Sequence, residues 1–114
     1  MFRTFVLATG GLLAMAGAAA ADPIEGNWRT GSGETAVIAA CGSAYCITLR
    51  SGEYSGRQIG QMTPGDAGKY RGEITVPSED KTYRGRATLA GDTLTMSGCV
   101  LGGLICRGED WARQ

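Results

Sequence analysis

The sequence predicts an all-β protein, a small antiparallel up-and-down β-barrel of seven or eight short strands, and three observations support this. Over residues 22–114, no window of roughly 11 or more residues repeats its apolar side chains with the period of a helix. Several short segments instead alternate apolar and polar residues, as half-buried strands do. Gly-rich turns separate these segments, a pattern typical of a small barrel or sandwich.

The first half of this region predicts four strands. Residues 27–30 open the sheet, and residues 34–41 and 45–50 form a strand pair. Residues 55–61 supply the fourth strand, and a loop containing Pro-Gly follows over residues 62–68.

The second half predicts the remaining strands, and three of them alternate clearly. These are residues 70–76, 81–89 and 93–98, with a turn at residues 90–92, and residues 104–113 then close the sheet. On the inward face we expect Tyr70, Gly72, Ile74, Val76, Tyr83, Gly85, Ala87, Leu89, Leu94, Met96 and Gly98.

A short motif recurs three times, as Tyr54-Ser-Gly56, Tyr70-Arg-Gly72 and Tyr83-Arg-Gly85. The structural interpretation, which we favour, is that each Tyr-x-Gly starts a strand, where the aromatic ring covers a glycine that lets a neighbour approach closely. The functional alternative is that the three tyrosine hydroxyls line a shared pocket.

The first 21 residues have the pattern of a secretory signal peptide. Arg3 is followed by a short apolar stretch and an Ala-rich run with small residues at Ala19 and Ala21. We therefore expect cleavage after Ala21, a periplasmic or secreted protein, and one domain over residues 22–114. The alternative, a transmembrane anchor, is disfavoured because the strongly apolar segment is short for a membrane span. The mature form should then have no membrane span.

The four cysteines, Cys41, Cys46, Cys99 and Cys106, all lie in the predicted exported part. An even number of cysteines in an oxidising compartment indicates two disulfides. Four cysteines allow three pairings; we favour Cys41 with Cys46 and Cys99 with Cys106, because each pair brackets a turn-like segment. The spacings lack the paired C-x2-C of zinc knuckles, so no metal site is expected.

Composition excludes several functions. The chain has 11 basic and 11 acidic residues and no histidine, which removes Ser-His-Asp and Cys-His catalysis and argues against nucleic-acid binding. Asp80, Asp92 and Asp110 lie beside turns or strand ends, where aspartate normally serves turn chemistry. We therefore expect no catalytic residues, no cofactor and no enzymatic activity. Arg84 and Arg86 should face outward as cross-strand partners of Glu73.

The two ends of this region carry a family resemblance. Gly26-x-Trp28 and Trp111-x-Arg113 resemble the calycin plan, lipocalins included, in which an early tryptophan packs against a late arginine where the barrel closes. Taken together with the segments that lie between them, these end motifs resemble the pattern of the secreted bacterial family called domain of unknown function 2147. Those segments are Gly26-Asn-Trp-Arg-Thr30, Cys41-x4-Cys46, Lys81-Thr-Tyr83, Asp92-x-Leu94, Gly98-Cys99-Val-Leu101 and Cys106-x4-Trp111-x-Arg113. The resemblance implies a lipocalin-like barrel with Gly26, Trp28, Trp111 and Arg113 at its closure, and no established activity.

Three functions are compatible with these features. The favoured one is a non-enzymatic binding module for a small apolar or amphipathic ligand in the cell envelope, with Tyr54, Tyr70, Tyr83, Leu94 and Met96 as candidate pocket walls. The second is a module that binds an envelope protein, for example a protease or lysozyme inhibitor, through residues 36–40 and the 62–68 loop. The third is a structural envelope protein without a ligand.

Overall fold

The computed structural model describes residues 22–114, and the predicted signal peptide lies outside these residues. Eight antiparallel strands follow one another along the chain. They are β1 (Gly26–Arg29), β2 (Thr35–Cys41), β3 (Ala44–Leu49), β4 (Gln58–Pro64), β5 (Lys69–Val76), β6 (Lys81–Ala90), β7 (Thr93–Val100) and β8 (Ile105–Arg113). The β7–β8 connection contains a short 3-10 turn, Leu101–Gly103.

The strands form one closed barrel, which confirms the predicted fold class. Each strand pairs with the next along the chain, and β1 pairs with β8 through Trp28 opposite Arg113. Closure leaves no free sheet edge, so the backbone of every strand has two neighbours. The described part of the chain contains no helix with the length and apolar character that crossing a bilayer requires.

The period-two alternation correctly predicted the inward face of β5, β6 and β7. Tyr70, Ile74, Ala87, Leu94 and Met96 are all buried, whereas the residues between them are mostly exposed. The buried side chains form one continuous cluster inside the barrel, to which the early strands contribute Trp28, Ala36, Ile38, Ile47, Leu49, Ile59 and Met62.

The prediction for the fourth strand was wrong by about three residues. Strand β4 begins at Gln58 because residues 51–56 are occupied by turns, in which Gly52 and Gly56 have positive φ angles of 84° and 93°. Tyr54-Ser-Gly56 therefore does not start a strand, unlike the other two copies of the motif. Met62 belongs to β4 rather than to a loop, since it is fully buried and pairs with Gly72.

The favoured cysteine pairing is confirmed. Cys41 and Cys46 join β2 to β3, with Cα atoms 5.8 Å apart, and Cys99 and Cys106 lie directly opposite each other on β7 and β8, 4.1 Å apart. The two bridges sit at opposite ends of the barrel, so each holds together one hairpin. No free cysteine remains in the described residues.

Removing the β7–β8 bridge with Cys99→Ser/Cys106→Ser should lower stability by about 2 kcal/mol, because a short loop loses its covalent constraint. In a domain of this size that corresponds to a fall in Tm of about 10 °C, measured by circular dichroism. Wild-type protein heated with a reductant should show at least this fall. An unchanged Tm for the double variant would contradict the role assigned to this bridge.

Candidate functional site

The barrel has two different ends. At the closed end, residues 22–25 cross the opening and insert Ile24, which is fully buried beside Trp28. The indole Nε1 of Trp28 donates a hydrogen bond to the Ile24 carbonyl (2.9 Å), and the Tyr70 hydroxyl donates one to Asp22. Burial, followed by this hydrogen bond, raises the pKa of Tyr70. These contacts fix residues 22–25 as a plug.

Arg113 holds the plug from outside. Its guanidinium lies 4.3 Å from the centre of the Trp28 ring and donates hydrogen bonds to the carbonyls of Pro23 (2.7 Å) and Glu25 (3.2 Å). Its Nε also pairs with Asp92 at 3.0 Å. A guanidinium over an indole adds a cation–π attraction to these bonds. The arrangement is the tryptophan–arginine closure that the end motifs predicted.

At the other end, which we call the open end, the barrel interior contains a cavity of about 610 Å³. This volume falls within the range of small-molecule sites in proteins. Its apolar wall consists of Leu49, Ile59, Ile74, Val76, Met96, Val100, Ile105 and Trp111. Gly98 and Gly108 also line it, and Gly98 occupies an inward position without placing a side chain in the space.

Three carboxylates line the cavity, and each accepts hydrogen bonds from the protein. Glu109 accepts one from Trp111 Nε1 (2.7 Å) and one from the Gly31 amide (3.0 Å). Glu34 accepts one from Ser32 (2.9 Å), and Glu79 accepts one from the Tyr83 hydroxyl (2.9 Å). These bonds anchor the acidic side chains to the wall and the loops around it.

Arg107 is the one basic side chain among the residues that line the cavity. Within residues 22–114 the ion pairs join Arg57 to Asp80 and Arg113 to Asp92, so Arg107 is not paired. Nearby, the hydrogen bond to Glu79 and then burial raise the pKa of Tyr83, whereas the charge of Arg107 opposes this rise. The open end thus offers an apolar chamber with an unpaired guanidinium in its wall.

The structure brings two of the five candidate pocket residues to this cavity. Tyr83 and Met96 line it. Leu94 is fully buried in the core and Tyr70 faces the plug, so neither contributes to the cavity wall. Tyr54 lies in the turns before β4. It packs against the core but is not among the residues that line the cavity.

Arg107 and Glu109 were not among the site residues predicted from the sequence. Opposite them on β7 lie Gly98 and Met96, which face inward, so both charged residues face inward as well. The signal was present, because counting back in steps of two from Trp111 places Glu109 and Arg107 on the same face of β8.

The outer face of β5 and β6 differs from the charge pairing that the sequence suggested. Glu73 lies opposite Arg84 in register, but the two form no ion pair, and Arg86 lies opposite Arg71 instead. Two like charges in directly opposed positions destabilise a sheet. The strand 36–40 and Met62, suggested as protein-binding surface, are partly internal, since Ala36, Ile38 and Met62 are buried.

Fold and cavity together define a small calycin-like barrel, plugged at one end and hollow at the other. The family model described as an uncharacterized protein conserved in bacteria, DUF2147, matches residues 26–113. The chain therefore belongs to the DUF2147 family, as the end motifs indicated. Neither a curated protein nor a solved structure matches it.

Proposed function

We propose that this protein is a non-enzymatic binding module that holds a small amphipathic molecule in the cavity at its open end. The observation that carries the proposal is the cavity itself, about 610 Å³ of space in the interior of a closed barrel whose other end is plugged. A barrel of eight strands is just wide enough either to be filled by side chains or to hold one small ligand. In this barrel, side chains fill the half of the interior near Trp28 but leave the half near Met96 open.

The lining indicates the chemistry of the ligand. An apolar wall favours a hydrocarbon body, which gains about 25 cal/mol for each Å² removed from water. Arg107 supplies donors for a head group that accepts hydrogen bonds, such as a carboxylate, because no protein carboxylate pairs with it within the described residues. Glu34, Glu79 and Glu109 also line the cavity, but they already accept hydrogen bonds from the protein, so we place the head group beside Arg107. The ligand class is an amphiphile with an acidic or carbonyl head group.

The disulfides support a site of action outside the cytoplasm. Two disulfides form and persist in oxidising compartments. We propose that the protein works in the periplasm or after secretion.

Lauric acid is a suitable first probe. Trp111 lines the cavity while Trp28 is buried at the closed end, so binding should change the emission of Trp111. We expect saturable binding of one lauric acid per chain to the wild-type protein. Met96→Trp should abolish this binding, because the larger side chain fills the cavity.

The matched control is Thr95→Trp, one residue away on the exposed outer face of β7. It should bind lauric acid as the wild-type protein does. Since the variants add a tryptophan, isothermal titration calorimetry should accompany the fluorescence. Equal affinity of Met96→Trp and wild type would refute binding in the cavity.

Arg107→Gln tests the position of the head group. The substitution should weaken lauric acid binding roughly tenfold or more, because a hydrogen bond to a charged group is worth about 1.5 to 3 kcal/mol. Binding of lauryl alcohol, which carries no charge, should change much less. A similar loss for both compounds would show that Arg107 shapes the cavity without recognising the head group.

A further inference from the structure

The β7–β8 hairpin at the open end exposes apolar side chains that do not belong to the buried core. We call residues 100–105 the apolar tip. Within the described residues it contains all four exposed large apolar side chains, namely Val100, Leu101, Leu104 and Ile105. The exposed fraction is 68% for Leu101 and 86% for Leu104. Contiguous exposed apolar side chains are a mark of interaction sites.

The backbone of the tip adds a second observation. Leu101 has a φ of 54°, in the left-handed region where a bulky side chain is strained. Glycine or asparagine would relieve this strain. An exposed leucine with a positive φ angle therefore does not stabilise the fold. Backbone strain of this kind is found mainly at functional sites.

Basic side chains flank the tip. A Cβ atom built on Gly103 would overlap Nη2 of Arg86, so this guanidinium rests against the backbone of the tip. Arg84 lies opposite Cys99, the residue next to the tip. Neither arginine forms an ion pair within residues 22–114. An external anionic surface would supply partners for both guanidinium groups.

We propose that the apolar tip inserts into the surface of an anionic phospholipid membrane, with Arg84 and Arg86 against the phosphate groups. The tip has six residues, whereas a specific protein interface uses roughly 20 to 30 residues from each partner. A fluid bilayer requires no matching groove, and apolar side chains beside arginines are the combination that binds an anionic membrane interface. This inference does not rest on the proposed cavity ligand. If both hold, the cavity mouth faces the membrane, because Val100 and Ile105 belong to both the tip and the cavity lining.

Co-sedimentation of the full protein with vesicles tests the proposal. Vesicles of phosphatidylcholine mixed with phosphatidylglycerol should bind the wild-type protein, and binding should weaken as salt increases. Leu101→Asn/Leu104→Ser should reduce the partition coefficient at least about tenfold. Its Tm should stay the same or rise, because asparagine tolerates the left-handed conformation. Intact masses should show identical chain ends in all variants, so that residues 1–21 cannot cause the difference.

Three further variants act as controls. Leu104→Met, which keeps an apolar side chain, should retain binding. Arg84→Gln/Arg86→Gln should lose about tenfold or more on anionic vesicles but little on pure phosphatidylcholine. Arg50→Gln, an exposed arginine in another loop of the open end, should change binding much less than the paired substitution.

The proposal is overturned if wild-type protein stays in the supernatant with anionic vesicles, or if Leu101→Asn/Leu104→Ser binds them as strongly as wild type. It is also overturned if sedimentation velocity shows a wild-type dimer that this variant lacks, because the tip would then be a contact between copies. Met96→Trp should bind vesicles normally, and Leu101→Asn/Leu104→Ser should bind lauric acid normally. Failure of the membrane proposal is thereby distinguished from failure of the cavity proposal.

Discussion

Trp28→Ala is expected to lower the free energy of unfolding by about 3 to 5 kcal/mol, the usual cost of removing a fully buried tryptophan. Three contacts disappear together. The core loses the indole, the Ile24 carbonyl loses its hydrogen-bond donor, and Arg113 loses the ring beneath its guanidinium. For a domain whose total stability is about 5 to 15 kcal/mol, this is a large fraction. Urea denaturation followed by circular dichroism measures it.

Trp28→Phe is the matched control, because it keeps an aromatic ring and removes the Nε1 donor. It should cost clearly less than the alanine substitution. A loss below about 1 kcal/mol for Trp28→Ala would contradict the role of Trp28 in closing the barrel.

Gly72→Ala is expected to lower the free energy of unfolding by about 3 kcal/mol or more. A Cβ atom on Gly72 would overlap the carbonyl oxygen of Gln61 and lie 2.9 Å from its carbon and 3.0 Å from Met62 Cα. These are backbone atoms of the neighbouring strand β4, so no rotamer change can relieve the overlap. The β4–β5 pairing would have to open.

Gly65→Ala provides the comparison. Its added Cβ would meet only ordinary contacts, 3.6 Å from the Lys69 carbonyl oxygen and 3.7 Å from Arg71. The free energy of unfolding of this variant should lie within about 1 kcal/mol of the wild-type value, because the substitution also lowers the entropy of the unfolded chain. Equal stability of Gly72→Ala and wild type would show that β4 and β5 do not approach as closely as described.

Much of the fold was predictable because alternation depends on local sequence alone. In β5 to β7 each inward residue is apolar or small, so the period of two was clear and the buried set followed from it. The disulfides were predictable for a similar reason, since each cysteine pair brackets a turn. The start of β4 was not predictable, because positive φ angles at Gly52 and Gly56 keep Tyr54 in a turn and no alternation marks this boundary.

The site was less predictable than the fold. Whether a barrel interior is filled depends on which side chains the other seven strands place at the same level along the barrel axis. This register involves residues that are far apart in the sequence. Tyr70 and Leu94 are inward as predicted, but they lie on the plugged side of the core. Arg107 was overlooked because a charged residue at an inward position conflicts with the expectation of an apolar core.

A crystal structure of the protein with a medium-chain carboxylate that carries bromine at its tail would show where the ligand binds. We expect an anomalous bromine peak inside the barrel near Met96 and Trp111, with the carboxylate within hydrogen-bonding distance of Arg107. The same experiment with Met96→Trp should show no peak there. A bromine peak only outside the barrel in the wild-type protein, or a wild-type cavity filled by the protein's own side chains, would refute ligand binding inside the barrel.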